Sequence, residues 1–429
     1  MLYDQWRVVA TVRRSELALA ECATGRRWTF GQLLAAADQS EAPAGPRVFP
    51  QGHHADFLLT VLQGWRHQRV VCPLEPGQTP PHPPATPAGI VHLKITSATT
   101  GPPRLIAFTA AQLIADPRNL MLTMKLRPDW PNLGVISLAH SYGFSSLVLP
   151  LLLHGIPLLL GPSSLPEALR SATAGAGEFT LPAVPALWRA WHEANAIPTA
   201  VRLAISAGAP LPMALEREVF RRCGLKLHNF YGSSECGGIA YDATPAPREK
   251  PSLAGTPVAN VTVTQGPSGC LAVQGEAVGW GYWPEPDPAL ADGCFRTRDR
   301  GEIRQGRIYV EGRVGDVINV AGRKVSPEII EQALLCHPAL RDCLVLGLPS
   351  EDSGRGEEIV AAIVTREAVT DADLRGFLER RLASWQVPRR FQRLPAIPVG
   401  PRGKTSRQEL RRQFTPGGSR RFGDRNVKC

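Results

Sequence analysis

Apolar and polar positions in the first half of the chain alternate between helix-like and strand-like periods. Residues 30–37 have the spacing of an amphipathic helix, whereas residues 69–74 and 90–95 are short apolar runs typical of buried strands. Further apolar units follow at residues 134–138, 147–160, 183–194, 201–206 and 225–230. Because strands joined by helical crossovers pair in parallel, this alternation predicts a mostly parallel α/β arrangement.

The pattern changes after Lys250, where short strand-like runs are separated by glycine and proline turns. This predicts a β-rich subdomain that ends near Val310. Past Gly312 the pattern changes again and predicts an α+β module. The predicted elements of this module are helix 327–335, strand 343–348, strand 359–364 and helix 371–382.

These changes divide the chain into three predicted parts. Residues 1–314 form a large α/β domain of several subdomains, including the β-rich one, and residues 315–414 form a small α+β domain. Residues 415–429 are a basic tail that contains a Pro-Gly-Gly sequence, and we expect this tail to be disordered. A length of 429 residues fits two or three domains.

The composition is typical of a soluble globular protein, with 43% hydrophobic and 20% charged residues. The N-terminus carries charges where a signal peptide would be apolar. The run 147–160 is broken by prolines and is too short to span a bilayer, so a buried strand or a core helix is the better interpretation. Nine cysteines, an odd number, include no C-x-x-C pair, which argues against a disulfide framework and a zinc site. We therefore expect a cytoplasmic protein.

The formal net charge of +10 predicts anionic partners. A nucleotide, coenzyme A and an acidic carrier protein all fit this charge. Nucleic acid is the obvious rival, but aromatic residues make up only 7% of the chain, and it has no zinc-finger, basic-zipper or aromatic RNA-binding motif. We therefore expect neither a nucleic-acid partner nor a membrane span.

A loop rich in hydroxyl groups follows the strand predicted at residues 90–95. It combines hydroxyls, several backbone N–H groups and a terminal cation, which together suit the binding of phosphates. It is not a Walker loop, because no Gly-Lys-Ser/Thr opens a helix. A polar surface loop is the alternative interpretation. The candidate phosphate-binding residues are Thr96, Ser97, Thr99, Thr100, Gly101 and Arg104.

A second candidate site lies at the end of the run 225–230. Tyr231 is suited to stacking on an adenine ring, and Ser234 to hydrogen-bonding an α-phosphate. Glu235 is suited to holding Mg²⁺, which prefers one or two carboxylates together with phosphate oxygens. The alternative is a strand-to-turn corner with a solvated glutamate.

Two further residues are candidate partners of a ribose. Asp299 can accept hydrogen bonds from both ribose hydroxyls, and Arg313 can bond the same oxygens. For each of them a surface ion pair is the alternative, and such pairs contribute little to stability.

Together these groups meet the requirements for activating a carboxylic acid with ATP, because they neutralise a triphosphate, hold an adenosine and align two anions. Lys404, on a glycine-preceded turn, is suited to bridging the acid carboxylate and the α-phosphate; a solvated surface lysine is the alternative. His140, just before the long apolar run, is either a residue of the acid pocket or a buried histidine whose hydrogen bonds are satisfied.

Gly315 stands between the two predicted domains. A residue without Cβ adopts many φ/ψ values, as a hinge requires, so the small domain is predicted to be a mobile lid that carries Lys404. Downstream, Ser326 and the two residues after it have the pattern of an N-cap, a first-turn proline and a dipole-favouring acid. We interpret Glu328 and Glu331 as helix architecture and not as a catalytic carboxylate pair.

Taken together, these segments resemble the adenylate-forming superfamily of acyl-CoA synthetases, luciferases and peptide-synthetase adenylation domains. The resemblance runs from about Trp28 to Leu410 and rests on the order in which the motifs occur. The first matching segments are the phosphate loop 96–104 and the H-x-x-G motif 140–143. They are followed by the adenine-side segment 206–211, which contains Gly208, Ala209 and Pro210, and by the Y-G-x-T-E-like segment 231–235, which contains Gly232 and is preceded by Asn229. The remaining matches are the pairs Gly275-Glu276 and Gly281-Tyr282 and the segments 297–299, 312–331 and 397–410.

The resemblance implies an enzyme that uses ATP and Mg²⁺ to form an acyl- or aryl-adenylate and then transfers the acyl group to a thiol. It implies catalytic roles for Lys404, Glu235, Ser234 and His140, with Glu235 as the metal ligand. The thiol belongs either to coenzyme A or to a phosphopantetheinyl carrier protein, and no residue separates these acceptors. The substrate is a small carboxylic acid, with an aryl or an acyl chain.

The chain departs from the family's pattern at several positions. Ala98 replaces a loop glycine, Arg104 replaces a lysine and keeps its charge, and Gly315 replaces a charged hinge residue. Arg298 replaces the glycine before Asp299. Because none of these changes removes a group that must carry charge, we expect an active enzyme. A catalytically inactive relative that binds nucleotide is the remaining alternative.

Overall fold

The computed structural model describes residues 1–96, 104–175, 177–266, 268–350, 356–398 and 407–414. These residues form two compact units, and the chain passes from the first unit to the second between Val310 and Glu311. The domain bounds expected from the sequence, 1–314 and 315–414, remain a prediction. Several predicted site residues lie outside the described residues, namely Ser97, Thr99, Thr100, Gly101 and Lys404.

The helices of the described chain are mostly short. Their bounds are α1 Leu2–Val12, α2 Phe30–Asp38, α3 Ala55–Arg66, α4 Ala110–Met124, α5 Ser141–Gly143, α6 Leu149–His154, α7 Pro166–Thr173, α8 Pro185–Glu193, α9 Met213–Cys223, α10 Pro327–Leu334, α11 Asp371–Glu379 and α12 Arg407–Phe414. A π-helical turn, Phe144–Val148, precedes α6, and a 3₁₀ turn covers Ser384–Gln386. Within the described ranges, no helix is long and apolar enough to cross a membrane.

The strands are distributed over two sheets in the first unit and two in the second. Their bounds are β1 Leu17–Glu21, β2 Arg26–Thr29, β3 Arg47–Val48, β4 Val70–Val71, β5 Ile90–Ile95, β6 Leu105–Thr109, β7 Asn132–Gly134, β8 Leu158–Leu160, β9 Phe179–Ala183, β10 Val201–Ser206, β11 Leu227–Ser233, β12 Gly237–Tyr241, β13 Leu253–Pro257, β14 Val261–Gln265, β15 Cys270–Gly275, β16 Gly281–Trp283, β17 Leu290–Ala291, β18 Cys294–Arg304, β19 Arg307–Arg313, β20 Ile318–Val320, β21 Arg323–Val325, β22 Leu340–Pro349, β23 Glu357–Thr365 and β24 Arg390–Arg393.

The large sheet of the first unit changes from parallel to antiparallel pairing at β11. Strands β1, β8, β7, β9, β10 and β11 lie side by side and pair in parallel. Strand β11 then pairs antiparallel with β12, and the sheet continues through β13, β19, β18, β15 and β14. The parallel half and the β-rich extension match the two sequence patterns, so the predicted α/β fold class is confirmed.

A second, smaller sheet carries the strands on both sides of the predicted phosphate loop. Strands β5 and β6 are antiparallel, with Ile95 opposite Leu105, so the loop joins the two arms of a hairpin. Strand β16 pairs with β6 and places Tyr282 opposite Ile106. The strand predicted at residues 90–95 is confirmed as β5.

The most apolar run of the sequence is divided between a helix and a strand. Helix α6 ends at His154, its C-cap residue Gly155 has a φ of +70° that suits a glycine, and β8 begins at Leu158. The side chains from Leu149 to Leu153 are all buried. The run is therefore an all-round apolar core helix followed by a buried strand, as its length and its prolines indicated.

The second unit contains a three-stranded sheet that packs against helices α10 and α11. Strands β22 and β23 are antiparallel, and β24 joins β23 in parallel. Ile330 of α10 and Leu374 of α11 are buried in one core with Val345 of β22. The helices predicted at 327–335 and 371–382 correspond to α10 and α11, which end slightly earlier.

The N-cap position predicted for Ser326 is confirmed, but its side chain makes no capping hydrogen bond to helix α10. Ser326 stands at the N-cap position and Pro327 at the first helical position, as expected. However, the Ser326 hydroxyl donates to the carboxylate of Glu328. A charged oxygen is a stronger acceptor than the alternatives open to a hydroxyl group, which explains this orientation.

Candidate active site

Strand β11 brings the Y-G-S-S-E segment to the place where the large sheet changes from parallel to antiparallel pairing. The strand ends at Ser233, and a turn centred on Glu235 leads into β12. A Cβ on Gly232 would lie 2.7 Å from the carbonyl oxygen of Gly237, so a glycine is required there. In open α/β sheets, ligands bind outside the carboxyl ends of the parallel strands, which is where this turn lies.

Tyr231 and Asp299, the predicted adenine and ribose partners, are hydrogen-bonded to each other. The Tyr231 hydroxyl donates to Asp299 Oδ2 at 2.6 Å, although the two residues are 68 positions apart in the sequence. Asp299 lies on β18, where the Thr297 hydroxyl bonds both its backbone N–H and its carbonyl. The fold therefore places these two candidate side chains next to each other.

Ser234 contacts a residue of the H-S-Y-G segment. The Ser141 hydroxyl donates to the Ser234 hydroxyl oxygen at 2.8 Å. His140 stands at the N-cap of α5, where its Nδ1 accepts from the backbone N–H of Tyr142 at 3.2 Å. The ring of His140 is thus oriented by the helix that also carries Ser141, beside the turn of Glu235.

The Glu235 carboxylate is oriented by a tyrosine from another strand. Glu235 Oε1 accepts from the Tyr282 hydroxyl at 2.9 Å, and the Glu235 carbonyl accepts from the backbone N–H of Gly279 at 2.8 Å. Burial raises the pKa of Tyr282, and the charge of Glu235 raises it further. Tyr282 therefore keeps its proton and remains a hydrogen-bond donor at neutral pH.

Thr96 and Arg104 close the base of the predicted phosphate loop. The Thr96 N–H donates to the Arg104 carbonyl at 2.8 Å, and Thr96 Oγ1 accepts from the Arg104 N–H at 2.9 Å. The guanidinium carbon of Arg104 lies 3.6 Å from the centre of the Tyr282 ring, and the guanidinium pairs with Asp287 at 2.8 Å. A hydrogen bond from the Ala289 N–H, followed by the pairing with Arg104, lowers the pKa of Asp287.

The adenine-side segment begins at the end of β10 and continues into an exposed turn, residues 208–210. Gly208 has a φ of +86°, a conformation that favours glycine, and its neighbours Ala209 and Pro210 are exposed. Ser206, the last residue of β10, lies opposite Asn229 in the parallel pair with β11. The turn therefore follows the same end of the sheet as the turn of Glu235.

Asn229 is buried within β11 and bonds to β13, two strands along the sheet. Its Nδ2 donates to the carbonyl of Ala254 at 3.2 Å, and its own carbonyl accepts from the N–H of Asp242 at 2.9 Å. These bonds give Asn229 a structural task in the sheet. Its predicted contact with a nucleotide remains a prediction.

A buried charged cluster lies beneath the turn of Glu235. Lys94 Nζ is 3.8 Å from Asp116 Oδ2, and the Ser145 hydroxyl donates to the same oxygen at 2.5 Å. Burial lowers the pKa of Lys94, and the neighbouring Asp116 carboxylate opposes this shift. Gly237, the first residue after the turn, packs so closely on Asp116 that a Cβ would clash with the carboxylate. The cluster thus packs against the residue that follows the turn of Glu235 and restricts its position.

Arg313, the other predicted ribose partner, belongs to the second unit. It is exposed at the end of β19, and its carbonyl accepts from the N–H of Asp316 at 3.1 Å. This turn contains Gly315, which has a φ of +102°. The fold assigns Asp299 to the first unit and Arg313 to the second, so their joint contact with a ribose remains a prediction.

Family models match both units of the chain. The AMP-binding enzyme family matches residues 32–283, and the AMP-binding enzyme C-terminal domain matches residues 329–404. The chain belongs to the AMP-binding enzyme family. This result confirms the resemblance to the adenylate-forming superfamily that the ordered motifs indicated.

Two curated relatives of this AMP-binding enzyme are ligases. A sulfoacetate–CoA ligase from Cupriavidus necator is 30% identical over 349 residues, which are 77% of this chain and 68% of the relative. A salicyl-AMP ligase / salicyl-S-ArCP synthetase from Mycobacterium tuberculosis is 29% identical over 365 residues, 79% of this chain and 64% of the relative. The prediction of an AMP-forming ligase of the acyl-CoA synthetase type is confirmed.

Solved structures share the fold of this AMP-binding enzyme. An ATP-bound MatB from Rhodopseudomonas palustris superposes with a TM-score of 0.84 over 98% of this chain and 100% of that chain, at 19% identity. The match extends over nearly the whole chain, so the predicted large α/β domain with a small C-terminal domain is confirmed as a fold.

Tyr282 is the main residue of the site for which no role was predicted. The Gly281-Tyr282 pair matches a family motif, but only the pairing of β16 with β6 brings the tyrosine to Glu235 and Arg104. Asp287 carried no sequence signal at all. The presence of a tyrosine in a family motif was the sequence signal from which a role for Tyr282 could have been predicted.

Proposed function

We propose that this AMP-forming ligase converts a small carboxylic acid into its acyl- or aryl-adenylate beside the turn of Glu235 and then transfers the acyl group to the thiol of coenzyme A. The observation that carries the proposal is the meeting of Tyr231, Ser234 and Glu235 with residues from three distant segments. Their partners are Asp299, Ser141 and Tyr282. Adenylation needs such convergence, because two anions must be held in line before they react.

The adenosine is proposed to bind between Tyr231 and the turn of Gly208. The Tyr231 ring, held by its hydrogen bond to Asp299, offers an aromatic face for adenine. The Asp299 carboxylate can accept from the Tyr231 hydroxyl and from ribose hydroxyls at the same time, since two oxygens provide about four acceptor positions. Arg313 is proposed to add a second contact to the ribose.

Glu235 suits Mg²⁺ as a ligand. Its carboxylate is held by Tyr282, and among the described residues it forms no ion pair, so its charge is available to a cation. Mg²⁺ prefers one or two carboxylates together with phosphate oxygens, and Ser234 and Thr96 belong to the segments proposed to hold those phosphates. When bound, the ion would neutralise part of the triphosphate charge.

The second unit is proposed to act as a mobile lid. We assign Lys404 to the adenylation step, where its ammonium group would bridge the acid carboxylate and the α-phosphate as charge develops. His140 is proposed to line the acid pocket, since α5 orients its ring beside the turn of Glu235. Gly315 is proposed as the hinge between the two half-reactions.

A carrier protein is the second candidate acceptor. The net charge of +10 would attract an acidic carrier, and the relative from Mycobacterium tuberculosis is named as a salicyl-S-ArCP synthetase. Purified enzyme with ATP and an accepted acid should be offered coenzyme A and, separately, a phosphopantetheinylated carrier protein. Faster thioester formation on the carrier would replace coenzyme A as the proposed acceptor.

The adenylation itself is tested by isotope exchange between pyrophosphate and ATP across a panel of acids. The panel should contain sulfoacetate, salicylate and a series of aliphatic acids, because the relatives act on chemically different acids. We expect acid-dependent exchange with at least one class, which would also define the acid pocket. The absence of exchange with every acid would favour the inactive nucleotide-binding relative.

A further inference from the structure

One aromatic side chain connects the two proposed anchors of the triphosphate. The Tyr282 hydroxyl donates to Glu235 Oε1 at 2.9 Å, and the face of the same ring lies 3.6 Å from the guanidinium carbon of Arg104. Glu235 belongs to the turn after β11 and Arg104 to the end of the phosphate loop. Tyr282 itself lies on β16, which is hydrogen-bonded to β6.

The stacking of Arg104 on Tyr282 depends on features that lysine lacks. A guanidinium is planar and weakly hydrated, so it lies flat on an aromatic ring and still directs N–H groups sideways to a carboxylate. Here Asp287 accepts a hydrogen bond from the guanidinium of Arg104 at 2.8 Å, and the Glu285 carbonyl accepts a second one at 3.4 Å. The arginine at this position is thus matched to Tyr282 and Asp287.

The burial of Tyr282 restricts the orientation of its ring and of its hydroxyl group. The residue is only 7% exposed, whereas the side chains of Arg104 and Asp287 are about one-third exposed. The ring is therefore a fixed platform, and the cation above it is open to solvent on its other side. A hydrogen bond from a fixed hydroxyl restricts the rotation of the Glu235 carboxylate more than a bond from water would.

We propose that Tyr282 is a positioning residue that holds the magnesium carboxylate Glu235 and the phosphate-loop cation Arg104 at a set separation, with Asp287 keeping Arg104 on the ring. This inference rests on the proposed function, since it takes Glu235 as the magnesium ligand. It assigns two tasks to two parts of one side chain. The hydroxyl orients the carboxylate, and the ring supports the cation.

The two tasks can be separated by two substitutions. Tyr282→Phe keeps the ring and removes the hydroxyl, so the Mg²⁺ concentration for half-maximal pyrophosphate exchange should rise about tenfold with an unchanged KM for the acid. Tyr282→Leu removes the ring as well and should additionally raise the KM for ATP. Tyr309→Phe is the control, because Tyr309 lies on β19 in the other sheet of the first unit, where its ring contacts Lys250 and Arg304, and it should leave the Mg²⁺ dependence unchanged.

A double-mutant cycle shows whether Tyr282 acts through Glu235. If it does, Tyr282→Phe has little further effect on the Mg²⁺ dependence in a Glu235→Gln background, whereas additive effects would overturn the proposal. An unchanged Mg²⁺ dependence in Tyr282→Phe would overturn it as well. A protein that merely folded less well would instead show a lower melting temperature and a uniformly lower rate.

Failure of the proposed function is recognisable separately. If the wild-type protein exchanges pyrophosphate with no acid, ATP binding is measured by calorimetry at several Mg²⁺ concentrations. Mg²⁺-dependent binding that weakens in Tyr282→Phe and not in Tyr309→Phe would still support the positioning role. Equal Mg²⁺ dependence in all three proteins would reject it.

Discussion

Arg407 donates to Glu331 across the core of the second unit, with Arg407 Nη2 2.7 Å from Glu331 Oε1. The same guanidinium pairs with Glu328 at 2.9 Å and with Asp316 at 3.1 Å. Glu331 also accepts from the backbone N–H of Val345 at 2.8 Å. Helix α10 is therefore tied to the first residue of α12, which supports the interpretation of Glu328 and Glu331 as structural and not catalytic.

The cluster of Arg407 with its three carboxylates predicts that the free energy of unfolding of the second unit falls as the pH rises. Three carboxylates share one guanidinium, and burial raises the pKa of Glu331 to about 7. A raised carboxyl pKa means that the folded state binds more protons than the unfolded state between the ordinary value of 4.5 and about 7. The free energy of unfolding of the second unit should therefore decrease over this window, by up to about 3 kcal/mol, and level off above it.

Chemical denaturation at pH 5 and at pH 8 measures this effect. Glu331→Gln mimics the protonated carboxyl, so the variant should lose most of the pH dependence and match the wild type near pH 5. Glu367→Gln, a change at an exposed residue of the same unit, is the control and should retain the wild-type slope. Stability that increases between pH 5 and pH 8 in a Glu331-dependent manner would contradict the assignment.

Lys404 is predicted to serve only the first half-reaction. Arg407 follows it by three residues and anchors the chain just after the proposed catalytic lysine. Lys404→Ala should abolish adenylation, seen as pyrophosphate exchange, but should largely spare thioester formation from a supplied acyl-adenylate. Lys250→Ala serves as the control for the loss of one positive charge. Equal loss of both half-reactions in Lys404→Ala would refute this division.

The charges of a buried ionic network in the first unit are predicted to depend on one another. Glu216 is fully buried and accepts from Arg248 at 2.9 Å and from Lys226, which also bonds Asp242 at 2.7 Å. Removing one partner leaves a buried charge poorly compensated, so Arg248→Met should lower the free energy of unfolding by about 3–5 kcal/mol. Arg217→Met, at an exposed position of helix α9, which carries Glu216, should change it by less than about 0.5 kcal/mol.

Denaturant titrations of the two arginine variants provide this comparison. Arg248 also donates to the carbonyl of Leu211 at 2.6 Å, at the end of the adenine-side segment. The Arg248 variant should therefore also have a raised KM for ATP at temperatures where it is folded. Equal free energies of unfolding for the two variants would show that the buried charges do not depend on Arg248, which would contradict this prediction.

Local periodicity predicted the positions of several elements, because their apolar patterns are visible in neighbouring residues of the chain. The strand at 90–95 and the helix beginning at Pro327 are examples. The candidate side chains around Glu235 were also identifiable, since their residue types match the chemistry. What could not be predicted are contacts between distant strands, such as the stacking of Arg104 on Tyr282 and the support of Gly237 by Asp116. These depend on sheet order, which local patterns do not contain.

The Ser326 hydroxyl illustrates a second kind of limit. Its N-cap position is readable from the sequence, but its side chain is oriented by the hydrogen bond that it donates to the Glu328 carboxylate. The pairing of Glu328 with Arg407 adds a partner 79 positions away, which the local pattern does not reveal. Patterns therefore give the position of a residue more dependably than the partner of its side chain.

Gly315 is predicted to act as a hinge, and a second glycine with a positive φ provides the control for this prediction. The φ of Gly315 is +102°, and among the described residues no atom beyond its two chain neighbours lies within 4 Å of the position of a Cβ. Gly315→Ala therefore introduces backbone strain of about 1–3 kcal/mol and no clash. Gly306→Ala, with a φ of +72° and similarly open surroundings, introduces a smaller strain in the turn between β18 and β19, because +72° lies close to the left-handed region that L residues can adopt. A proline is unsuitable at Gly315, because its φ is fixed near −65°.

Both alanine variants should therefore lose stability in thermal denaturation, with the larger loss in Gly315→Ala. Only Gly315→Ala should change the ratio between the rate of adenylation and the rate of thioester formation, because a hinge must adopt different backbone angles in the two steps. Single-turnover measurement of each half-reaction gives this ratio directly. The same ratio in Gly315→Ala, Gly306→Ala and the wild type would show that Gly315 permits a turn and nothing more.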